Sequence, residues 1–114
     1  MRAWTIGITA ALAAAPCFNT VAADEALPNY DPVAYCKRVS DMIGKSAWMT
    51  KACLDQEQSA YDELKPVWAG LPDPMKQTCQ RQASMIGRSY WYLKACVDQE
   101  STATKQLEGY KFRR

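Results

Sequence analysis

The chain has no histidine in its 114 residues. That removes both the commonest general base and the commonest metal ligand near neutral pH. It has only five glycines, no glycine-rich phosphate loop and no nucleophile motif. It has no large excess of either charge: 14 Lys and Arg stand against 12 Asp and Glu. A total this balanced does not point to nucleic acid or an acidic membrane surface. After the first 15 residues it has no long apolar run, so a membrane span in the remainder is not expected. These absences make the expected function non-catalytic, with no cofactor and no metal.

What is present begins with an N-terminal layout that reads as a signal peptide over residues 1–23. Arg2 supplies the positive start, Ala3 to Ala15 the short apolar run, and Val21-Ala22-Ala23 a small-residue cleavage site ahead of Asp24. Removal after Ala23 leaves one helical domain, residues 24–114, in the periplasm or outside the cell. It also takes Cys17 away. Four cysteines remain, Cys36, Cys53, Cys79 and Cys96, an even number that reads as a disulfide framework in an exported chain. Sixteen residues separate the members of each pair, whereas zinc sites usually draw ligands from about two to four residues apart.

The cysteines belong to an internal repeat. "CKRVSDMIGKSAWMTKACLDQE", starting at Cys36, recurs 43 residues later as "CQRQASMIGRSYWYLKACVDQE", starting at Cys79. Between Tyr35–Leu64 and Thr78–Leu107, 15 of 30 positions are identical without a gap. Each copy, residues 31–65 and 73–108, reads as one supersecondary unit that needs its neighbour to bury a face. Asp31-Pro32 and Asp73-Pro74 predict helix starts, Gly44 and Gly87 helix ends, and Ser46 and Ser89 the caps of second helices. Pro66 and Gly109 fall at the same repeat position and close those helices.

An unbroken helix would hold Cys36 and Cys53 about 25 Å apart, but a disulfide needs Cα atoms roughly 4.4–6.8 Å apart. A chain folded back after Gly44 places them at equal distances from the fold point. The same holds for Cys79 and Cys96 around Gly87. The predicted fold is therefore all-α: two antiparallel helical hairpins, stapled by Cys36–Cys53 and Cys79–Cys96, packed as a small four-helix domain. Each bridge closes a loop worth ~3 kcal/mol in the chain-entropy account.

Helical periodicity places Ser40, Ile43, Ser46, Met49, Glu57, Ala60 and Leu64 around the cysteines of the first hairpin, as its inner seam. A second stripe carries Tyr35, Val39, Met42, Trp48, Ala52, Gln56 and Ser59, and its counterpart in the second hairpin includes Met85, Trp91 and Ala95. These faces are expected to meet about an approximate twofold axis. Trp48 and Trp91 then serve either as packing groups or as an exposed aromatic pair that holds a partner, with Arg38 and Arg81 placed to stack on them. Glu57 and Glu100 fall near the seam, where a carboxylate needs partners. The N–H groups at the start of each first helix are candidates, and a carboxylate pair for acid–base work is the other reading.

"CLDQEQSAYDELKPVW" and "SYWYLKACVDQE" resemble small exported cysteine-rich helical-hairpin bacterial proteins of unknown function, a likeness that implies the fold and no activity. A weaker likeness, through Cys53, Glu57, Asp62 and Leu64, is to LprI-like lysozyme inhibitors, and implies inhibition of a cell-wall hydrolase. The leading expectation is a structural or binding protein that acts on a protein partner. An exposed apolar patch around Tyr61, Trp68, Tyr90 and Tyr92 would carry that contact. A carrier of a small apolar ligand held between helices is the remaining alternative.

Overall fold

The computed structural model describes residues 26–114 and, before them, only Ala3 and Gly7. The expected leader over residues 1–23 and its cleavage point otherwise lie outside the described residues. Among the described residues four helices follow in order: α1 (Pro32–Met42), α2 (Ala47–Leu64), α3 (Asp73–Met85) and α4 (Tyr90–Glu108), with a 3₁₀ turn at Trp68–Gly70. No strand occurs among the described residues.

Three of the four helix starts are capped as the sequence suggests. Asp31 Oδ1 accepts from Ala34 N at 3.0 Å, with Pro32 in the first turn. Ser46 Oγ accepts from Met49 N at 3.3 Å, and Ser89 Oγ from Tyr92 N at 3.4 Å. The start of α3 differs. Pro72 holds its cap position with no side-chain bond, and Asp73 is already helical. The Asp-Pro pair lies one residue farther from the cysteine in the second copy, so keeping Cys79 in phase pushes Asp73 into the first turn. There it meets the amino end of the helix dipole and pairs with Lys76 Nζ at 3.5 Å.

Both hairpin turns use the same device. Gly44 (φ 109°) and Gly87 (φ 98°) leave the helix in a region glycine adopts freely. The next amide folds back onto the last turn: Lys45 N donates to Ser40 O at 2.7 Å and Arg88 N to Ala83 O at 2.8 Å. Lys45 and Arg88 also take positive φ, a second left-handed residue that glycine alone would not have indicated. The helices so reversed bring Cys36 and Cys53 to a Cα separation of 5.6 Å, and Cys79 and Cys96 to 5.4 Å. Both pairs are disulfide-bonded, each within its own hairpin.

The hairpins do not pack about a twofold axis. α2 runs parallel to α4, with Glu57 beside Ser89, Tyr90 and Trp91, and Glu63 3.0 Å from Lys94. A twofold would require Glu100 to meet Ser46 in return, and it does not: Ser46 bonds only within its own hairpin. The contact is head-to-tail, with the turn of the second hairpin set against the middle of the first. Its offset is 11 residues short of the 43-residue repeat, about 16 Å along a helix.

The positions at which the copies differ explain this choice. α4 presents Tyr90, Leu93 and Val97 on one stripe where α2 has Ala47, Thr50 and Leu54. The larger apolar stripe is the one that is buried, against Ala60 and Leu64 of α2, Trp68 of the linker, and Cys79 and Ala83 of α3. Leu27, Tyr30, Tyr61, Leu71 and Met75 close the cluster. Trp68 is enclosed although its indole N–H has no partner. Burying roughly 150–250 Å² of tryptophan contributes about 4–6 kcal/mol, which outweighs about 1–3 kcal/mol for the unmade bond.

Candidate functional site

Two groups of polar and aromatic residues stand out: a buried carboxylate at the hairpin–hairpin contact and an exposed apolar band at the hairpin tips. Glu57 is only 2% exposed. One carboxylate oxygen accepts from the Ser89 hydroxyl and from Trp91 N at 3.4 Å, and the other from Tyr90 N at 2.7 Å. These donors form the amino end of α4, where the helix dipole favours a negative charge. Glu57 is thus a cap supplied from one hairpin to the other. The sequence placed it against the start of a first helix, and the head-to-tail offset sends it to the start of a second helix instead. Glu100, its repeat equivalent, is half-buried and borders neither of the grooves that Glu57 borders. The two carboxylates do not line one pocket.

The tyrosines above the cap form a second structural unit. Tyr90 is buried; its hydroxyl donates to Pro28 O at 2.7 Å and accepts from Tyr30 N at 2.8 Å. Its ring lies 4.9 Å from Tyr30 and 5.1 Å, edge to face, from Tyr61. Burial, with the nearby Tyr61 and Glu57 adding to it, holds the Tyr90 hydroxyl above its ordinary pKa. Hydrogen bonds from Lys94 to Asp98 and Glu63 raise the pKa of that ammonium. Of the four aromatics expected to form an exposed patch, Trp68 and Tyr90 are therefore core, Tyr61 is half-buried and only Tyr92 reaches the surface.

One exposed apolar surface lies around Trp48 and Trp91. Trp48 is 75% exposed and Trp91 45%. Ile43 and Met49, expected at the inner seam, are exposed beside Trp48. At this end Ser40 Oγ donates to Ser46 O at 3.1 Å, and Ile43 and Met49 border the groove beside Trp48. Met42 and Met85 stand out at the two tips. A groove of about 360 Å³ runs between Trp48 and Trp91, floored by Tyr35, Val39 and Cys53 and flanked by Met49 and Tyr92. Trp91 and Tyr92 meet edge to face at 5.1 Å. Arg38 does not stack on a tryptophan: its Nη2 donates to Gly87 O at 3.4 Å and ties the second turn to α1. Arg81 lies exposed on α3. Tyr35 packs so closely under the second turn that a Cβ at Gly87 would come within 3.2 Å of its ring.

All four described cysteines are held in disulfides, and no described helix is long and apolar enough to cross a membrane. Comparison with protein-family models, with curated proteins and with solved structures found no match.

Proposed function

We propose that this is an exported, non-catalytic binding protein of the periplasm or cell exterior, which holds a protein partner in the groove between Trp48 and Trp91. The observation that carries the reading is an apolar groove bordered by two tryptophans, Trp48 and Trp91, that remain substantially exposed. Trp48, Ile43, Met49, Trp91 and Tyr92 line this one groove and contribute little to the core. Contiguous apolar surface of this kind marks interaction sites, and tryptophans are the residues that most often dominate binding energy. Met49 adds an adaptable contact beside those rigid rings. The disulfides and the leader-like first 23 residues support export.

The test is capture from the extracytoplasmic fraction on immobilised protein, run beside a Trp48→Ala/Trp91→Ala variant. Both rings are largely outside the core, so the variant is expected to keep the wild-type melting temperature. The expected result is a partner retained by the wild type and depleted at least tenfold by the variant, a change of about 1.4 kcal/mol or more. Equal retention by both proteins would reject the groove as the binding site.

A further inference from the structure

A twofold contact uses one surface twice, whereas a head-to-tail contact uses two different surfaces once each. The two hairpins share half their sequence, so each carries a version of both surfaces, and within one molecule one of each is left over. The receiving surface on the first hairpin is built from Glu57, Ala60 and Leu64, all buried under the second hairpin. On the second hairpin the same three positions hold the same three residues: Glu100, Ala103 and Leu107. Among the described residues Glu100 is half-buried and the other two are exposed. Leu107 is 69% exposed against 1% for Leu64, and Ala103 is open to solvent. Tyr110 and Phe112 continue this apolar end, also exposed.

The inserting surface shows the converse. In the second hairpin it consists of Gly87, Ser89, Trp91 and Lys94 around Tyr90 and Leu93. The first hairpin keeps the identical Gly44, Ser46, Trp48 and Lys51. Tyr90 N and Trp91 N are capped by Glu57, but among the described residues no carboxylate bonds the equivalent amides of Ala47 and Trp48. A Cβ at Gly44 would meet nothing within 4 Å, where one at Gly87 meets Tyr35.

We propose that the open surface of α4 receives the first hairpin turn of a second copy of this chain, with Glu100 capping Ala47 and Trp48 of its neighbour as Glu57 caps Tyr90 and Trp91 within the molecule. The occupant is argued from the interface the chain already makes with itself, since the capping carboxylate recurs at one free end as Glu100 and the amides it would cap recur at the other as those of Ala47 and Trp48. The differences between the copies set its strength. Tyr61, Tyr90 and Leu93 become Thr104, Ala47 and Thr50, and the Glu63–Lys94 ion pair becomes Gln106 facing Lys51. Both sides lose bulk together, which keeps them compatible and makes the contact reversible. Because the surfaces are non-identical, association does not stop at a dimer unless a ring closes. Trp48 belongs to both surfaces, but Glu100 and Ala47 lie outside the Trp48–Trp91 groove, so variants at those two positions test this inference apart from the partner reading above.

Sedimentation velocity of the purified, disulfide-bonded protein between about 10 µM and about 1 mM tests it, a range in which a weak contact becomes visible. The weight-average mass is expected to rise with concentration past that of a dimer. Ala47→Arg blocks one surface and Glu100→Arg the other; Leu107→Asp serves as a second block of the α4 side. Ala47 and Leu107 are exposed and Glu100 is half-buried outside the core cluster, so each variant is expected to melt like the wild type. Each alone should remain monomeric. An equimolar mixture of Ala47→Arg with Glu100→Arg should form a dimer and grow no further, since each supplies the surface the other lacks. A wild type that stays monomeric throughout overturns the proposal. So does association that survives either block, or a mixture of blocked variants that fails to dimerise.

Discussion

Half the positions of the two hairpins are identical, yet the same residue often has a different surrounding in each. Leu64 is a core residue and Leu107 is bare; Glu57 is a buried cap and Glu100 is half in water; Ala60 is enclosed and Ala103 is not. The first hairpin closes its own turn by a serine hydroxyl on Ser46 O, whereas the second borrows a carboxylate from its neighbour. What each hairpin is follows from the shared residues, and what each hairpin contributes to the core follows from the ones that differ. The second hairpin is the hub of the fold: it supplies Cys79, Ala83, Tyr90, Leu93, Cys96 and Val97 to the cluster, and the first supplies Ala60 and Leu64.

The widest separation between the two should come from their staples. Both disulfides close loops of equal length, so the chain-entropy contribution is ~3 kcal/mol for each. Only Cys79–Cys96 lies within the core cluster, where its loss also leaves a packing defect. Urea unfolding should therefore find Cys79→Ser/Cys96→Ser more destabilised than Cys36→Ser/Cys53→Ser by more than about 1 kcal/mol. Equal losses would mean that the sulfurs act through loop closure alone. The leucines come next. Leu64→Ala should lower stability by about 2–5 kcal/mol, and Leu107→Ala by no more than about 0.5 kcal/mol, in monomeric protein. A comparable loss at both would refute the head-to-tail packing.

The carboxylates give a smaller contrast with a clearer chemical meaning. Glu57→Gln keeps an acceptor in place and removes the charge that faces the amino end of α4. The expected loss is about 1–3 kcal/mol, against about 0.5 kcal/mol or less for Glu100→Gln. Hydrogen exchange locates the effect: the amides of Tyr90 and Trp91 should lose protection in the Glu57 variant and keep it in the other. Retained protection would show that the cap is not what orders the start of α4.

The legibility of this chain follows the same division. The turn and the staple were readable because they depend on residues whose local chemistry leaves few options: Gly44 and Gly87 where φ is positive, Ser46 and Ser89 at the caps, cysteines equally spaced about each fold point. The docking geometry was not readable from those residues. Fifteen identical positions suggested symmetry, and symmetry suggested a twofold. The deciding signal was the pair of substitutions Ala47/Tyr90 and Thr50/Leu93, which make one copy of a stripe apolar and the other polar. Weighing differences above identities would also have buried Tyr90 and freed Trp48. The site suffered likewise. Trp48 and Trp91 were recognisable as candidates for binding, but helical phase alone puts Ile43 and Met49 inward, whereas both are exposed at the groove beside Trp48. The one-residue slip of Asp73 was visible in the count from its cysteine; its outcome, a helix that starts without a side-chain cap, depended on Pro72.

The smallest effect isolates the residue at which the two hairpins diverge most, Tyr90 against Ala47. Burial raises the Tyr90 pKa above its ordinary value near 10, and burial with the nearby Tyr90 hydroxyl does the same for Tyr30. A raised pKa means that the folded state prefers the protonated phenol. Its contribution is complete below about pH 10, and it is lost as the pH climbs through the folded-state value. Ionising Tyr90 also removes the proton it donates to Pro28 O, which loosens the 26–31 segment that Tyr30 anchors over α4. Stability in urea should therefore decline above about pH 10, together with the rise of tyrosinate absorbance. Tyr90→Phe should start lower at neutral pH, because Tyr30 N loses its acceptor, and then fall less steeply than the wild type. The first hairpin has alanine, Ala47, at this position. A Tyr90→Phe protein that declined as steeply as the wild type would assign the transition to Tyr30 or Tyr35, whose pKa is also raised chiefly by burial, and would remove Tyr90 as the point where alkali opens the contact between hairpins.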